Sequence, residues 1–313
     1  MTGSSRQQPH RRLPGRRRGR PGPARAAGPQ EIAPGVHLLT LGSGLLASNV
    51  YFVRSGDSWV LVDAGWPRQE EPIMAAAQAL FGPGARPAAI LLTHIHPDHS
   101  GSAPALARGW EVAVWVHPDE LPLAAGEYLP QYANPLDRRL IGPLLSLLPA
   151  RARQRMSAAG SLTAAARPLP GPATVPGLPD WEWRHAPGHT PGHVAFWRPA
   201  GRVLITGDAI LTVDLNSLPG LLLRRPRIAA PPRITTWDWP AARASLAALA
   251  RLGPLVLAPG HGRPVTGPAA AAALRGFAGR PAPGLAIPAF AQVSARKRVG
   301  IGRARPLGKE IPS

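Results

Sequence analysis

Apolar residues open the chain in short runs of β type. VHLLTL (36–41), NVYFVRS (49–55) and SWVLVDAG (58–65) predict three strands, with turn formers at Gly42, Gly44 and Gly56–Asp57 between them. The spacing then changes. Ile73, Ala77 and Leu80 share one helical face, which predicts a helix from Glu70 to Phe81. AAILLTH (88–94) reads as a buried strand, SAPALARG as a helix capped by Ser100, and EVAVWVH (111–117) as another strand.

Residues 118–180 break this rhythm. They are rich in proline and leucine, with one amphipathic stretch near Leu136–Leu148 interrupted by Pro143, and GPATVPGLPD reads as loop. We read this segment as a cap-like insertion that folds over a site. Strands return at WEWRHAPG (181–188), HVAFWRP (193–199) and RVLITGDA (202–209). Residues 210–236 read as loop. A helix follows from about Pro240 to Leu252, with Asp238 as its N-cap, and the strand LVLAP (255–259) runs into GHG. Two strand-rich halves with helices between them predict an α/β (α+β) fold. Its architecture would be a four-layer αββα sandwich, two mixed β-sheets flanked by helices. The expected organisation is a folded unit over 31–280 between basic tails at 1–30 and 281–313.

The charge changes this picture little. The net charge is +19, but residues 1–30 hold eight arginines and no acid, and 281–313 hold six basic residues against Glu310. Between 31 and 280 there are 22 basic and 16 acidic residues, a net of +6. The excess sits in Pro/Gly-rich ends, expected to be solvated and disordered. Nucleic acid is therefore not an expected partner beyond weak electrostatic attraction to the tails. There is no cysteine, which excludes a disulfide scaffold, a thiolate metal site and a cysteine nucleophile. No run of 18 apolar residues predicts a membrane span. No apolar segment follows the basic start, so a signal peptide is not expected and the expected location is cytoplasmic.

The chemistry gathers in LLTHIHPDHSG (91–101), which holds three of the chain's ten histidines. It lies between a strand and a helix, where sheet-edge sites form. Imidazole and carboxylate are ligands that zinc, iron and manganese accept. His94 and His96 can point one way from an extended stretch; Asp98 and His99, beyond Pro97, can face a second point. Further donors stand at strand ends: His189 in APGHTPGH, Asp208 in ITGDA and His261 in APGHG. Seven groups and a water satisfy two metals if one carboxylate bridges. Two ions about 3.5–4 Å apart would hold a bridging hydroxide and polarise a carbonyl or phosphoryl oxygen. Asp63, ending WVLVDAG, is a candidate acceptor orienting a ligand histidine.

THIHPDHSG, followed in order by PGH, GDA and PGHG, resembles the metallo-β-lactamase superfamily, and VDAG before it matches as well. The resemblance spans Glu31 to Pro264. It implies that His94, His96 and His189 bind a first metal, that Asp98, His99 and His261 bind a second, and that Asp208 bridges them. It further implies that Asp98 is catalytic and manages the proton of the nucleophile. Two zinc ions per chain are expected, with iron or manganese compatible with the donor set. The implied activity is hydrolysis of an ester, thioester, lactone or amide in a small-molecule substrate. The rival readings are a mononuclear iron persulfide dioxygenase and a phosphodiesterase or nucleic-acid-associated protein using the tails. His117, His185 and His193 match no ligand position, and His193 is expected to be structural. Lactonases of the superfamily place a tyrosine between the third histidine and the bridging aspartate. None stands there in this chain, which leaves Tyr128 or Tyr132 as substitutes. Arg224 and Arg225 are candidate carboxylate donors, and Asn216 and Trp237 candidate pocket residues.

Overall fold

The computed structural model describes residues 28–217, 219–220 and 227–280. The tail expectations and the candidates Arg224 and Arg225 lie outside these residues. Strands β1 (Gln30–Ala33), β2 (Val36–Leu41), β3 (Ser48–Ser55), β4 (Ser58–Val62), β5 (Ala89–Leu91), β6 (Val114–Val116) and β7 (Ala166–Pro168) form one sheet in that order. It is antiparallel from β1 to β4 and parallel from β4 to β7. Strands β8 (Glu182–His185), β9 (Val194–Arg198), β10 (Val203–Gly207), β11 (Val256–Pro259) and β12 (Val265–Thr266) form the second, also mixed.

The strands read as continuous apolar runs because both faces are buried. Side chains alternate across a strand, and the parity holds through both sheets. Val36, Leu38, Tyr51, Val53, Val60 and Val62 of the first sheet meet Val194, Phe196, Val203 and Ile205 of the second in a shared core. The opposite parity of the first sheet, Leu39, Phe52, Trp59, Leu61 and Ile90, packs on helices α1 (Glu70–Phe81) and α3 (Ala103–Trp110). A short helix, α2 (Pro97–Ser100), lies between them in sequence. The outer face of the second sheet, Ala195, Trp197, Leu204 and Leu257, packs on α7 (Trp239–Arg251) and α8 (Pro268–Ala278). Three cores thus separate four layers, the αββα sandwich. Among the described residues no helix is long and apolar enough to cross a membrane.

Several elements differ from expectation. Neither Ser100 nor Ser102 caps α3 through its side chain. Ser102 is the N-cap residue, but its hydroxyl donates to Trp66 O at 2.6 Å, while Ser100 Oγ donates back to Ile95 O at 3.1 Å. Within 118–180 lie helices α4 (Leu121–Ala124), α5 (Gly142–Ser146) and α6 (Ala150–Gly160), and also β7. That range is therefore not all insertion. β7 is a three-residue edge strand ending in Pro168, and a proline missing its N–H is tolerated only at an edge. Pro143 does not interrupt a helix. It sits in the first turn of α5, after a wide turn over Asp137–Ile141. β1, β12 and the alanine-rich α8 escaped the sequence reading because two or four residues, or a helix face made of alanine, leave little periodic signal.

The expected cap of α7 is present: the Asp238 carboxylate accepts Ala241 N–H at 2.9 Å. Asp238→Ala is expected to lower stability by about 1 kcal/mol, read from urea unfolding. An unchanged midpoint would show the cap to be idle.

Candidate metal centre

The parallel strands β4, β5, β10 and β11 end at one edge of the sandwich and deliver the candidate groups there. Asp63 follows β4, the stretch His94–His99 follows β5, Asp208 follows β10 and His261 follows β11. His189 lies in the link from β8 to β9. Val194 N–H donates to Thr93 O at 2.9 Å, joining the two sheets beside the site. Gly260 N–H donates to Gly207 O at 2.8 Å. A side chain at Gly260 would strike Asp208 Oδ1 and come within 2.6 Å of His99 Cε1. Only glycine lets this backbone pass so close to both.

The structure brings all seven expected groups together. Nitrogen or oxygen atoms of His94, His96 and His189 lie within 4.8 Å of one another, as do those of Asp98, His99 and His261, and those of His94, His99 and Asp208. Asp208 Oδ2 is 3.4 Å from His189 Nε2 and 3.4 Å from His261 Nε2. Asp208 Oδ1 is 3.3 Å from His99 Nε2. Asp208 thus stands between the first and second triads.

Hydrogen bonds on the far side of the rings set which nitrogen faces inward. Asp63 holds His99 Nδ1 at 2.8 Å and accepts Thr93 N–H at 2.8 Å. Asp63 itself has φ of 60°, a left-handed conformation that aspartate tolerates better than most residues. Thr93 Oγ1 is 3.0 Å from Asp63 Oδ2 and 3.1 Å from His94 Nδ1. Its single proton goes to the carboxylate, so His94 Nδ1 is the donor and His94 Nε2 presents a lone pair. The same accounting holds for His189. Thr236 Oγ1 donates to Pro232 O at 2.7 Å and so accepts from His189 Nδ1 at 3.1 Å. His261 Nδ1 donates to Ala47 O at 2.7 Å.

The inward atoms therefore conflict. His94 Nε2 is buried without a hydrogen-bond partner. His96 Nδ1 and His189 Nε2 face each other at 2.9 Å. Lone pairs converging in a dry site are costly unless a cation or proton lies among them. The donor set therefore fits divalent cations of the zinc, iron or manganese kind.

Electrostatics divide the histidines into two classes. Burial, reinforced by neighbouring imidazoles, pushes His94 and His189 well below the usual value. Burial also lowers His96. His99 goes the other way. Burial would lower it, but Asp208, Asp63 and Asp98 outweigh that and raise it well above 6.5. His261 is likewise raised, to about 10, against burial, chiefly by Asp208 and Asp98. Asp98 and Asp208 are both lowered, their own burial being overcome by His99 and His261. Three crowded carboxylates thus attract positive charge that protons can supply when no metal does.

Other candidates divide. His193 is fully buried, and its Nε2 accepts Asp208 N–H at 3.0 Å. The structural role expected of it is thus to steady the Asp208 backbone. Asn216 is engaged by its own loop. Its amide donates to Pro231 O at 3.0 Å and accepts Arg233 N–H at 2.6 Å, so it ties its own loop. Tyr132 meets Trp237 edge-on, ring centroids 5.2 Å apart, next to the Thr236 that holds His189. Tyr128 is 56% exposed. Asp137, in the 118–180 range, is among the charges that favour the charged form of His96. His117 and His185 stack with rings 4.2 Å apart and nearly parallel. With Asp119 they form a further His/Asp group whose nitrogen and oxygen atoms lie within 4.8 Å of one another, and His185 Nε2 donates to Pro191 O at 2.9 Å. Sequence reasoning missed Thr93, Thr236, the carbonyl of Ala47 and Glu120. None carries a motif, although Glu120 stands in VHPDE directly after a strand.

Comparison with known proteins points to one family. The sequence model of the metallo-beta-lactamase superfamily matches residues 43–261. The "Probable metallo-hydrolase YflN" of Bacillus subtilis (strain 168) is 37% identical over 241 residues, which is 76% of this chain and 87% of that protein. The "Probable metallo-hydrolase YybB" of the same organism is 28% identical over 164 residues, 52% of this chain and 62% of that protein. Among solved structures, a metallo-beta-lactamase family protein from Thermus thermophilus superposes with a TM-score of 0.53 at 22% identity. It covers 79% of this chain and 80% of its own, a likeness of fold. With its αββα layers and with the family pattern matched over residues 43–261, this chain belongs to the metallo-beta-lactamase superfamily.

Proposed function

We propose that this protein is a dinuclear metal-dependent hydrolase of a small ester, thioester, lactone or amide. The observation that carries the reading is the pair of separate triads, His94–His96–His189 and Asp98–His99–His261, with one Asp208 oxygen 3.4 Å from a histidine of each. A complete second triad supports two ions over the single iron of an oxygenase. His94, His96 and His189 would hold the first ion, Asp98, His99 and His261 the second, and Asp208 both; zinc suits the donors best. When bound, such ions polarise the substrate carbonyl and make water a nucleophile at neutral pH.

The chain's own residues do the rest. Asp63, Thr236 and the Ala47 carbonyl hold three imidazoles in one tautomer. Asp98 is the acid suited to taking the proton of the attacking water. Its side chain is 18% exposed against 2% for Asp63 and 4% for Asp208, so it alone of the three can pass that proton on to solvent. Tyr132 and Trp237 supply an aromatic wall beside His189. Exposed Leu140, Ile141 and Leu144 follow Asp137 and offer apolar surface in the 118–180 range. These features support a partly apolar acyl or lactone substrate.

The test is metal content per chain by elemental mass spectrometry of unchelated protein, followed by assays on lactones, thioesters and β-lactams. Two zinc or manganese ions with hydrolysis of one class is the expected result. One iron per chain with oxygen consumption would overturn the hydrolase reading. No metal, before or after addition, would overturn both.

A further inference from the structure

Glu120 is a charged residue in the wrong kind of place. It ends the short turn Pro118–Glu120 after β6 and is fully buried. Among the described residues no arginine or lysine forms an ion pair with it. A buried carboxylate is costly unless strong donors replace its water. Two backbone amides do so: Oε2 accepts Ile95 N–H at 3.0 Å and Oε1 accepts Gly192 N–H at 2.8 Å.

The identity of those amides gives the contact its meaning. Ile95 lies between His94 and His96. Gly192 lies between His189 and His193. One side chain therefore grips both loops that present the first triad, each within three residues of a donor. The fit around Gly192 is tight. A Cβ there would come within 2.7 Å of Glu120 Cγ and 2.9 Å of His117 Nδ1, so only glycine lets its amide reach the carboxylate.

We propose that Glu120 is a positioning residue that locks the His94–His96 loop to the His189–His193 loop and so sets the geometry of the first metal triad. This rests on the dinuclear reading for its consequence, but the lock itself can be measured without metal. Glu120 touches neither substrate nor metal in this role. It acts through two N–H groups, and its removal leaves both in the interior without an acceptor. It differs from Asp63, Thr236 and Ala47, which each orient one imidazole, because it fixes the distance between two chain segments.

The test uses Glu120→Gln, which keeps the shape but turns one acceptor into a donor facing an N–H. In metal-free protein, amide hydrogen exchange at Ile95 or Gly192 should become about 10- to 100-fold faster, with core-strand amides unchanged. Zinc affinity, read by competition with a chromogenic chelator, should fall about 10- to 100-fold. Leu274→Ala, which opens the core beneath α8, serves as the control; it should lower the melting temperature and leave zinc affinity alone. Wild-type exchange at both amides in Glu120→Gln, or an equal loss of zinc affinity in Leu274→Ala, overturns the proposal. If Glu120→Gln does not fold, the wild-type protein decides: both amides must exchange as slowly as those of β5, and exchange at a free-loop rate overturns the lock. A wild type that takes up no zinc sinks the metal reading, and the exchange rates still judge the lock.

Discussion

In the Asp208→Ala variant, at least one metal ion per chain is lost and hydrolysis falls by more than about 100-fold, beyond what removing an outer hydrogen-bond partner usually does. The expectation follows from where the carboxylate stands. Its Oδ2 lies 3.4 Å from both His189 and His261, and its Oδ1 lies 3.3 Å from His99. Asp98, the other acid beside His261, already belongs to the second triad. Alanine also removes the negative charge that raises His99 and His261. Those imidazoles then fall toward neutrality and lose the attraction that gathers them. Elemental analysis and rate measurement on the same preparation check the result. Full activity with two ions retained would sink the dinuclear reading.

The second large effect is the response of metal-free protein to pH. His99 and His261 have folded values raised above about 6.5, His261 to about 10. Their contribution is fully present below pH 6.5 and is lost as pH rises through their raised folded values, about 10 for His261. His94, His96, His189 and His193 have lowered values, so the unfolded chain takes up protons below pH 6.5 that the folded chain refuses. Stability therefore falls on that side too. Chelated protein should show its highest melting temperature near pH 6.5. Zinc binding requires bare imidazoles, so at pH 8 its uptake should release at least one proton per chain, from His261, whose raised value of about 10 keeps it charged there. With zinc at 100 times its dissociation constant, the folded state gains about 2.7 kcal/mol, enough to raise the melting temperature by roughly 5–10 °C. Calorimetry in buffers of different ionisation heat measures the proton count. Uptake at pH 8 with no proton released would contradict this account of the two histidines.

The site's donors were legible in the sequence for a physical reason. The candidate donors stand where a strand has just ended and the backbone turns sharply, so His94–His99, His189, Asp208 and His261 come wrapped in glycine and proline. The sandwich was legible because strands buried on both faces cannot hide in a polar background. What supports the donors was not. The Ala47 carbonyl that holds His261 has no side-chain signature at all. Thr236 is 47 residues from the His189 it steadies. Glu120, in HPDE, looks like an acid on a solvated turn, and it is buried against the Ile95 and Gly192 backbones, which only the fold brings to it. β7 was hidden in the proline-rich 118–180 range, and its Pro168 is tolerated because β7 stands at the edge of the sheet. Ser100 looked like a cap because serine before a helix usually is one, yet its hydroxyl turned back to Ile95 O.

The hydrogen bond from Val194 to Thr93 carries a last consequence. It closes a loop of about one hundred residues. Four of the seven donors belong to the Thr93 side of this seam and three to the Val194 side. Neither sheet alone owns a binding site. Closing so long a loop is slow, so each sheet can reach its own pairing before the seam joins. The site is then assembled late in folding and is among the first features lost when the seam opens. Metal bound across it would act as a rivet between the two halves of the chain.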